Sequence, residues 1–133
     1  MTDFALVLDA GAIAAYATGG AEIVGTHLVG ADMIGMHAAV PTTCLAEAYA
    51  ILGPKPEAVQ RVRLLLALPC VRTVPMLPGQ ARAAGLLCHD HADLTRLGIA
   101  HTIITAVSSG AAAMTSSPLI GDYLPAEWPI ITV

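Results

Sequence analysis

Acidic residues that follow strand-like runs are the side chains of this sequence best placed to do chemistry. Asp9 comes directly after the apolar run FALVL, and Glu47 lies six residues after Pro41, in the opening turns of a helix that follows a second strand. In open parallel sheets, ligands bind beyond the carboxyl ends of the strands. We therefore expect Asp9 and Glu47 to approach the same edge of a sheet.

Carboxylates that meet at one point favour a particular chemistry. They repel each other unless a cation neutralises them, and hard oxygen ligands select Mg²⁺ or Mn²⁺. Metal-assisted hydrolysis of a phosphodiester is the reaction that such a cluster supports. Further acids that could join the cluster are Asp90 and Asp93, which precede a late helix, and Asp122, which follows the fourth strand.

Each of these acids also has a purely structural interpretation, and the sequence leaves both open. An Asp after a strand is often only the N-cap of the next helix, which applies to Asp9. Glu47 could face solvent, because its neighbours do not fix which side of the helix meets the core. Acids in loops are usually solvated, which applies to Asp90, Asp93 and Asp122.

Histidines and cysteines offer weaker alternatives. His89 and His91 are two residues apart, and without a third placed ligand this spacing favours an exposed loop over a transition-metal site. His101 lies in an apolar helix and Cys44 near a helix start, and we expect both to be buried packing residues. The motifs GxGxxG and GxxxxGK[ST] are absent, so dinucleotide and P-loop nucleotide binding lack support.

Strand-like and helix-like segments alternate along the chain, which predicts an α/β sandwich with a mainly parallel sheet. Pro41 is followed by Thr42 and Thr43, which are possible N-caps, and the segment His89–Asp93 is expected to be a polar loop. The predicted strands are Phe4–Leu8, His37–Val40, Cys70–Val74, Ala111–Met114 and Pro129–Val133. The predicted helices are Gly11–Ala17, Ala21–Met33, Cys44–Leu52, one that begins at Pro56 and closes at Pro69, Gly79–Cys88 and Leu94–Ser108.

Composition limits the classes of protein to which the chain can belong. Its 133 residues predict a single domain over 1–133, and 56% hydrophobic against 12% charged residues exclude a disordered chain. Six Lys and Arg against ten Asp and Glu give a net charge of −4, the wrong sign for a broad basic face that holds nucleic acid. Three cysteines without a CxxC pair indicate neither a disulfide framework nor a zinc finger.

Location is also predicted from the sequence. The uncharged stretch 97–121 is broken by polar residues and is not expected to span a membrane. Asp3 stands where a signal peptide would carry positive charge, so secretion is not indicated. We therefore expect a protein of the reducing cytoplasm.

The sequence as a whole resembles a PIN domain, especially the compact actinobacterial type related to VapC toxins of toxin–antitoxin pairs. The resemblance spans nearly the whole chain. Its most specific part is the combination of an Asp directly after the first strand with the motif P-x-x-C-L-A-E-A in the middle of the chain. It implies a three-layer α/β/α fold and a Mg²⁺- or Mn²⁺-dependent endoribonuclease. The matching segments are VLDAGAIAAYATG, VPTTCLAEAYAIL, LGIAHTIITAV, AAMTSSP and the terminal PIITV.

The resemblance assigns roles to some acids and lacks others. Asp9 matches the first metal ligand of the family, and Glu47 matches its second acid. The third acid normally opens the helix represented here by LGIAHTIITAV, which contains no carboxylate, so Asp93 would substitute only if this helix starts early. The fourth position is occupied by Ser116 or Ser117.

Asp122 is a possible remote replacement for the fourth acid, and the acidic site is degenerate by the family's standard. The leading hypothesis is a metal-dependent ribonuclease, the toxin half of a toxin–antitoxin system, with RNA as substrate and an antitoxin as protein partner. The alternative is a PIN-fold protein that has lost catalysis and binds a partner or forms a homodimer. The apolar composition suits either hypothesis, because a dimer or an antitoxin helix needs an apolar surface.

Overall fold

A five-stranded parallel sheet forms the centre of the molecule. The structure is a computed structural model, and it describes residues 3–91, 94, 96–117 and 119–133, apart from the side chain of residue 21. The strand order is β3-β2-β1-β4-β5, and every pair of neighbours is parallel. The strands are β1 (Phe4–Leu8), β2 (His37–Pro41), β3 (Val71–Val74), β4 (Ala112–Thr115) and β5 (Ile130–Thr132).

Helices cover both faces of this sheet. They are α1 (Ala10–Thr18), α2 (Ala21–Met33), α3 (Thr42–Leu52), α4 (Pro56–Ala67), α5 (Pro78–Asp90) and α6 (Leu97–Ser109), with a short 3-10 helix at Ile120–Tyr123. One apolar cluster joins α1, α2, α3 and α4 to Leu6 and Leu8 of β1. A second joins α5 and α6 to Phe4 and Val7 of the same strand. The predicted three-layer α/β/α sandwich is therefore confirmed.

The central position of β1 explains its continuous apolar sequence. Leu6, Val7 and Leu8 are all buried, because helices cover the strand from both sides. A parallel strand covered in this way has no solvent-facing side on which polar residues would alternate. This buried strand carries Asp9 directly to the carboxyl edge of the sheet.

Several predicted bounds agree with the structure. The bounds of β1 and α2 are as predicted, and α4 begins at Pro56. Gly25 and Gly30 do not break α2, because Val24, Leu28 and Ala31 anchor the helix in the core. Burial of an apolar face outweighs the cost of about 1 kcal/mol that each glycine imposes on a helix.

The N-caps predicted for α3 are wrong. Thr42 and Thr43 are already helical, and the N-cap is Pro41, which has no side-chain hydrogen bond. The hydroxyl of Thr43 instead forms a hydrogen bond of 2.6 Å with Nδ1 of His101. A contact with a distant helix has thus replaced the local capping contact.

The predicted polar loop before the last helix is only partly correct. His89 and Asp90 belong to the last turn of α5, and His91 is its C-cap. α6 begins at Leu97 rather than at Leu94. No helix in the described part of the chain is both long and apolar enough to cross a membrane.

Candidate active site

A small pocket lies at the carboxyl edge of the sheet, where β1 and β4 end and where α1 and α6 begin. Its volume is about 80 Å³. Larger surface grooves of about 490 Å³ beside α4 and about 290 Å³ beside α2 each have only one carboxylate among their lining residues. The pocket is lined by Asp9, Ala10, Gly11, Glu47, Ile51, Arg96, Ile99, Ser116 and Ser117. The structure thus brings Asp9 and Glu47 together.

Asp9 accepts hydrogen bonds from two elements. It is 4% exposed and is the N-cap of α1, where Oδ1 accepts a hydrogen bond of 2.9 Å from the N–H of Ala12. Oδ2 accepts a hydrogen bond from the hydroxyl of Thr115 at the end of β4. The N–H of Ser117 donates in turn to Oγ1 of Thr115, at 2.9 Å. Asp9 is therefore both a structural cap and a pocket residue.

The charge of Asp9 is under opposing influences. Burial raises the pKa of its carboxyl, because removal from water disfavours the ionised form. The hydrogen bonds from Thr115, Ala12 and Gly11 and the positive charge of Arg96 lower this pKa, but by less than burial raises it. A cation bound in the pocket would favour the ionised carboxylate.

Glu47 differs from Asp9 in the hydrogen bonding of its carboxylate. Its Oε1 is buried and has no hydrogen-bond partner in the part of the chain that the structure describes. A buried acceptor without a partner costs about 1–3 kcal/mol. The same oxygen lies against Gly98, in the first turn of α6, where the helix dipole is positive. Among the described residues, one carboxylate oxygen is thus left without a hydrogen bond.

Gly98 makes the position of Glu47 possible. A Cβ atom built at residue 98 would lie 1.7 Å from Oε1 and 2.8 Å from Cδ of Glu47. Any side chain at this position would therefore displace the carboxylate. α3 and α6 meet closely here only because one of them carries a glycine.

Ser116 brings a neutral oxygen to the same pocket. A Cβ atom built at Gly11 would lie 1.8 Å from Oγ of Ser116 and 3.4 Å from Oδ1 of Asp9. The serine hydroxyl thus lies beside the start of α1, next to the carboxylate that caps it. Where the family pattern often has an acid, this chain supplies a hydroxyl.

Arg96 is the pocket residue whose place sequence reasoning missed. It immediately precedes α6, its side chain is exposed, and it lines the pocket together with the two carboxylates. From the sequence alone, Arg96 is only one of the six Lys and Arg residues of a negatively charged chain. Its position directly before LGIAHTIITAV, where the family's third acid is expected, is the signal that could have drawn attention to it.

The other predicted acids are not shown to join this site. Asp93 lies outside the described residues, and α6 does not start early, which was the condition for its role. Asp122 is exposed in the 3-10 helix, and Asp90 is exposed at the end of α5; neither lines the pocket. Across the described residues, no group of three or more His, Cys, Asp or Glu is arranged to hold a metal ion.

His91, the C-cap of α5, does not form a metal cluster with His89 in the described part of the chain. Its ring lies 5.0 Å from that of Tyr123, in an edge-to-face arrangement. The contact joins the end of α5 to the 3-10 helix. The exposed loop predicted for these histidines is wrong for His89, which lies in the last turn of α5.

Two buried groups serve packing, as predicted. The thiol of Cys44 is 3.1 Å from the carbonyl of Gly98 and 3.1 Å from the hydroxyl of Thr102, and burial raises its pKa to about 12. His101 is fully buried, and burial lowers its pKa, so the ring is neutral. A protonated thiol is a poor metal ligand and a poor nucleophile.

The donor set of the pocket fits a hydrated Mg²⁺ or Mn²⁺ ion. Asp9 and Glu47 supply carboxylates, Ser116 supplies a hydroxyl, and all are hard oxygen donors. Mg²⁺ is commonly bound through one or two carboxylates, with water and substrate phosphate as the remaining ligands. The free Oε1 of Glu47 is the structural observation that agrees with such an ion.

Comparisons with known proteins show the fold. No family model matches the chain, and no curated protein matches it. Among solved structures, a chain of VapBC2 from Rickettsia felis, bound to a DNA fragment from their promoter, is similar with a TM-score of 0.66 and 14% identity, over 96% of this chain and 97% of that one. PAE2754 from Pyrobaculum aerophilum is similar with a TM-score of 0.61 and 19% identity, over 97% of this chain and 84% of that one. The predicted PIN-like fold is confirmed by these similarities.

Proposed function

We propose that this protein is a PIN-type endoribonuclease that depends on Mg²⁺ or Mn²⁺. The observation that carries the proposal is the meeting of Asp9 and Glu47 in one pocket, with Oε1 of Glu47 buried and unpartnered in the described part of the chain. A pair of carboxylates that a single arginine neutralises only in part is an expected binding site for a divalent cation.

In this proposal the residues of the chain hold and orient the reacting groups. The backbone of α1 and the hydroxyl of Thr115 fix the Asp9 carboxylate, and the absence of a side chain at Gly98 keeps Glu47 in the pocket. A divalent ion, when bound, activates water and stabilises charge that develops on the phosphate. The role of Asp93 as third ligand stays a prediction whose condition, an early start of α6, is not met. Asp122 stays a predicted remote ligand that its exposed position does not support.

We further propose that the protein is the toxin of a toxin–antitoxin pair. Its fold is similar to that of a chain of the VapBC2 complex, over nearly the full length of both chains, and this similarity supports the assignment. The partners would then be RNA as substrate and an antitoxin protein, with homodimerisation and a cytoplasmic location as in the sequence-based hypothesis.

A second candidate function is partner binding without catalysis. The exposed apolar residues of α2 favour it, because Ile23, Val29 and Met33 are all exposed, Met33 by 82%. Apolar side chains grouped on one helix are a common feature of surfaces that meet another protein. The pocket has two carboxylates among the described residues, fewer than the family pattern supplies, which also agrees with reduced activity.

Cleavage of a mixed RNA pool separates the two functions. We expect the unmodified protein to cleave RNA when Mn²⁺ is added and not in EDTA, and Asp9→Asn to lose this cleavage. Asp32→Asn is the matched control, because Asp32 is exposed on α2 and does not line the pocket. Equal cleavage by the Asp9→Asn variant would contradict the proposal. Absence of cleavage by the unmodified protein, together with a stable dimer, would support the binding function.

A further inference from the structure

The acidic pocket contains a positively charged residue that the proposed metal site does not use. Arg96 lines the pocket with Asp9 and Glu47, so the three ionisable side chains of the pocket carry a formal charge of −1. The guanidinium group makes no hydrogen bond or ion pair with any other residue that the structure describes. Within the described residues, its donors are thus unused and face a pocket that a ligand could enter.

Other basic residues are less well placed to meet such a ligand. Arg61 donates to the carbonyl of Ala17 at 3.1 Å, and Arg72 donates to the carbonyl of Pro69 at 2.6 Å. Lys55, Arg63 and Arg82 are exposed on or beside α4 and α5 and do not line the pocket. Arg96 is thus the basic residue among those that form the pocket wall.

Resting on the proposed function, we propose that Arg96 binds the phosphate group of the RNA phosphodiester in this pocket. A guanidinium group has planar, paired donors that match two oxygens of a phosphate. Without Arg96, the two carboxylates would give the pocket a formal charge of −2, and the chain, at −4 with this residue, would be more negative still, so both would repel the RNA backbone more strongly. Arg96 would therefore reduce the repulsion of RNA and offer its phosphate a local contact before a divalent ion is bound.

The same positive charge has an opposite effect on metal ions. A cation beside two carboxylates weakens the attraction of the pocket for Mg²⁺ or Mn²⁺. Arg96 is therefore expected to favour RNA binding and to oppose ion binding. If the exposed side chain of Arg96 had only a structural role, replacing it would not change the affinities for RNA and for metal ions in opposite directions.

RNA binding in EDTA tests the first half of the inference. The probe is a fluorescein-labelled single-stranded RNA, and fluorescence anisotropy gives its Kd for the unmodified protein, Arg96→Gln, Arg96→Lys and the control Arg63→Gln. We expect Arg96→Gln to weaken binding by about tenfold or more, because charge-assisted hydrogen bonds are lost. Arg96→Lys should bind with intermediate affinity, and Arg63→Gln should bind like the unmodified protein.

Titration with Mn²⁺ alone, followed by electron paramagnetic resonance, tests the second half. We expect Arg96→Gln to bind Mn²⁺ about threefold to tenfold more tightly, because a repelling charge has been removed. Unchanged RNA affinity of Arg96→Gln would overturn the inference, as would equal losses in Arg96→Gln and Arg63→Gln or no binding of RNA by the unmodified protein. Weaker binding of both RNA and Mn²⁺ would also overturn it.

These experiments distinguish failure of the inference about Arg96 from failure of the proposed nuclease function. If the unmodified protein binds RNA through Arg96 but does not cleave it, the nuclease proposal fails and the inference about Arg96 stands. If the unmodified protein cleaves RNA and Arg96→Gln retains its RNA affinity, the inference fails and the nuclease proposal stands.

Discussion

The two carboxylates of the pocket come from regions that hold them very differently. Asp9 caps α1 and accepts hydrogen bonds from Ala12 and Thr115, so each of its oxygens has a partner in the fold. Glu47 projects from α3 toward the start of α6, and its buried Oε1 has no partner within the described residues. One acid is part of the framework, and the other is free to bind a ligand.

This difference shows which residue is the better indicator of function. A capping carboxylate such as Asp9 stabilises the fold whether or not a ligand binds. A buried carboxylate oxygen without a hydrogen bond, such as Oε1 of Glu47 among the described residues, is retained at a cost, and ligand binding is a physical reason that would offset it. Glu47 therefore carries more of the functional argument than Asp9.

The largest expected effect is on catalysis. Asp9→Asn and Glu47→Gln should each reduce Mn²⁺-dependent RNA cleavage by at least about 100-fold, because each removes a charged ligand, whereas changes in outer-shell residues cost roughly 10–100-fold. Initial rates on a labelled RNA at saturating Mn²⁺ measure this effect. Retention of more than about a tenth of the activity by Glu47→Gln would remove Glu47 from the proposed site.

The next effect concerns the glycine that supports Glu47. Gly98→Ala should reduce cleavage by about 10–100-fold, because its Cβ would displace the carboxylate of Glu47 from the pocket. The flexible end of Glu47 can move, so we expect little loss of stability. Gly85→Ala is the matched control, since a Cβ at this position in α5 meets nothing within 4 Å. Equal activity of the two variants would show that the position of Glu47 is unimportant.

Stability should respond to the two acids in opposite directions. Asp9→Ala should lower the free energy of unfolding by about 1–2 kcal/mol, because the N-cap contact is lost and the Thr115 hydroxyl loses its acceptor. Glu47→Ala should raise it by about 1 kcal/mol, because an unpartnered buried acceptor is removed and alanine is a good helix former. Urea unfolding in EDTA measures both values. A loss of stability in both variants would contradict the contrast between the two acids.

The smallest effect is the dependence of stability on pH. Burial raises the pKa of Asp9 above its usual value of 3.8, so ionisation of this group is more costly in the folded state than in the unfolded state. Its contribution to stability is fully present below pH 3.8 and is lost as the pH rises through the raised folded-state pKa. In EDTA, the stability of the unmodified protein relative to Asp9→Asn should therefore fall between acidic and neutral pH. A difference that does not change with pH would contradict this account of Asp9.

Much of the fold could be predicted because its signals are local. The apolar run Phe4–Leu8 predicts a strand covered on both faces, and Pro56 predicts the start of α4. The N-cap role predicted for Thr43 is wrong, and its hydroxyl instead meets His101 of the distant helix α6, a contact that no local pattern shows. The start of α6 was misplaced for a simpler reason, since Leu94 is apolar and buried without being helical.

The site could be predicted only in part. Asp9 and Glu47 were accessible to sequence reasoning, because both follow strands whose carboxyl ends meet at one edge. The supporting role of Gly98 could not be predicted, since it depends on the close approach of α3 and α6. Nor does any local pattern show that Arg96 lines the same pocket as the acids.

The central claim is that Asp9 and Glu47 together bind a single divalent ion, and a Mn²⁺ titration by electron paramagnetic resonance tests it most directly. The account predicts one site in the unmodified protein, much weaker binding after either Asp9→Asn or Glu47→Gln, and little further loss when both changes are combined, because the two residues act as a unit. Mn²⁺ affinity that is unchanged by Glu47→Gln would contradict the account.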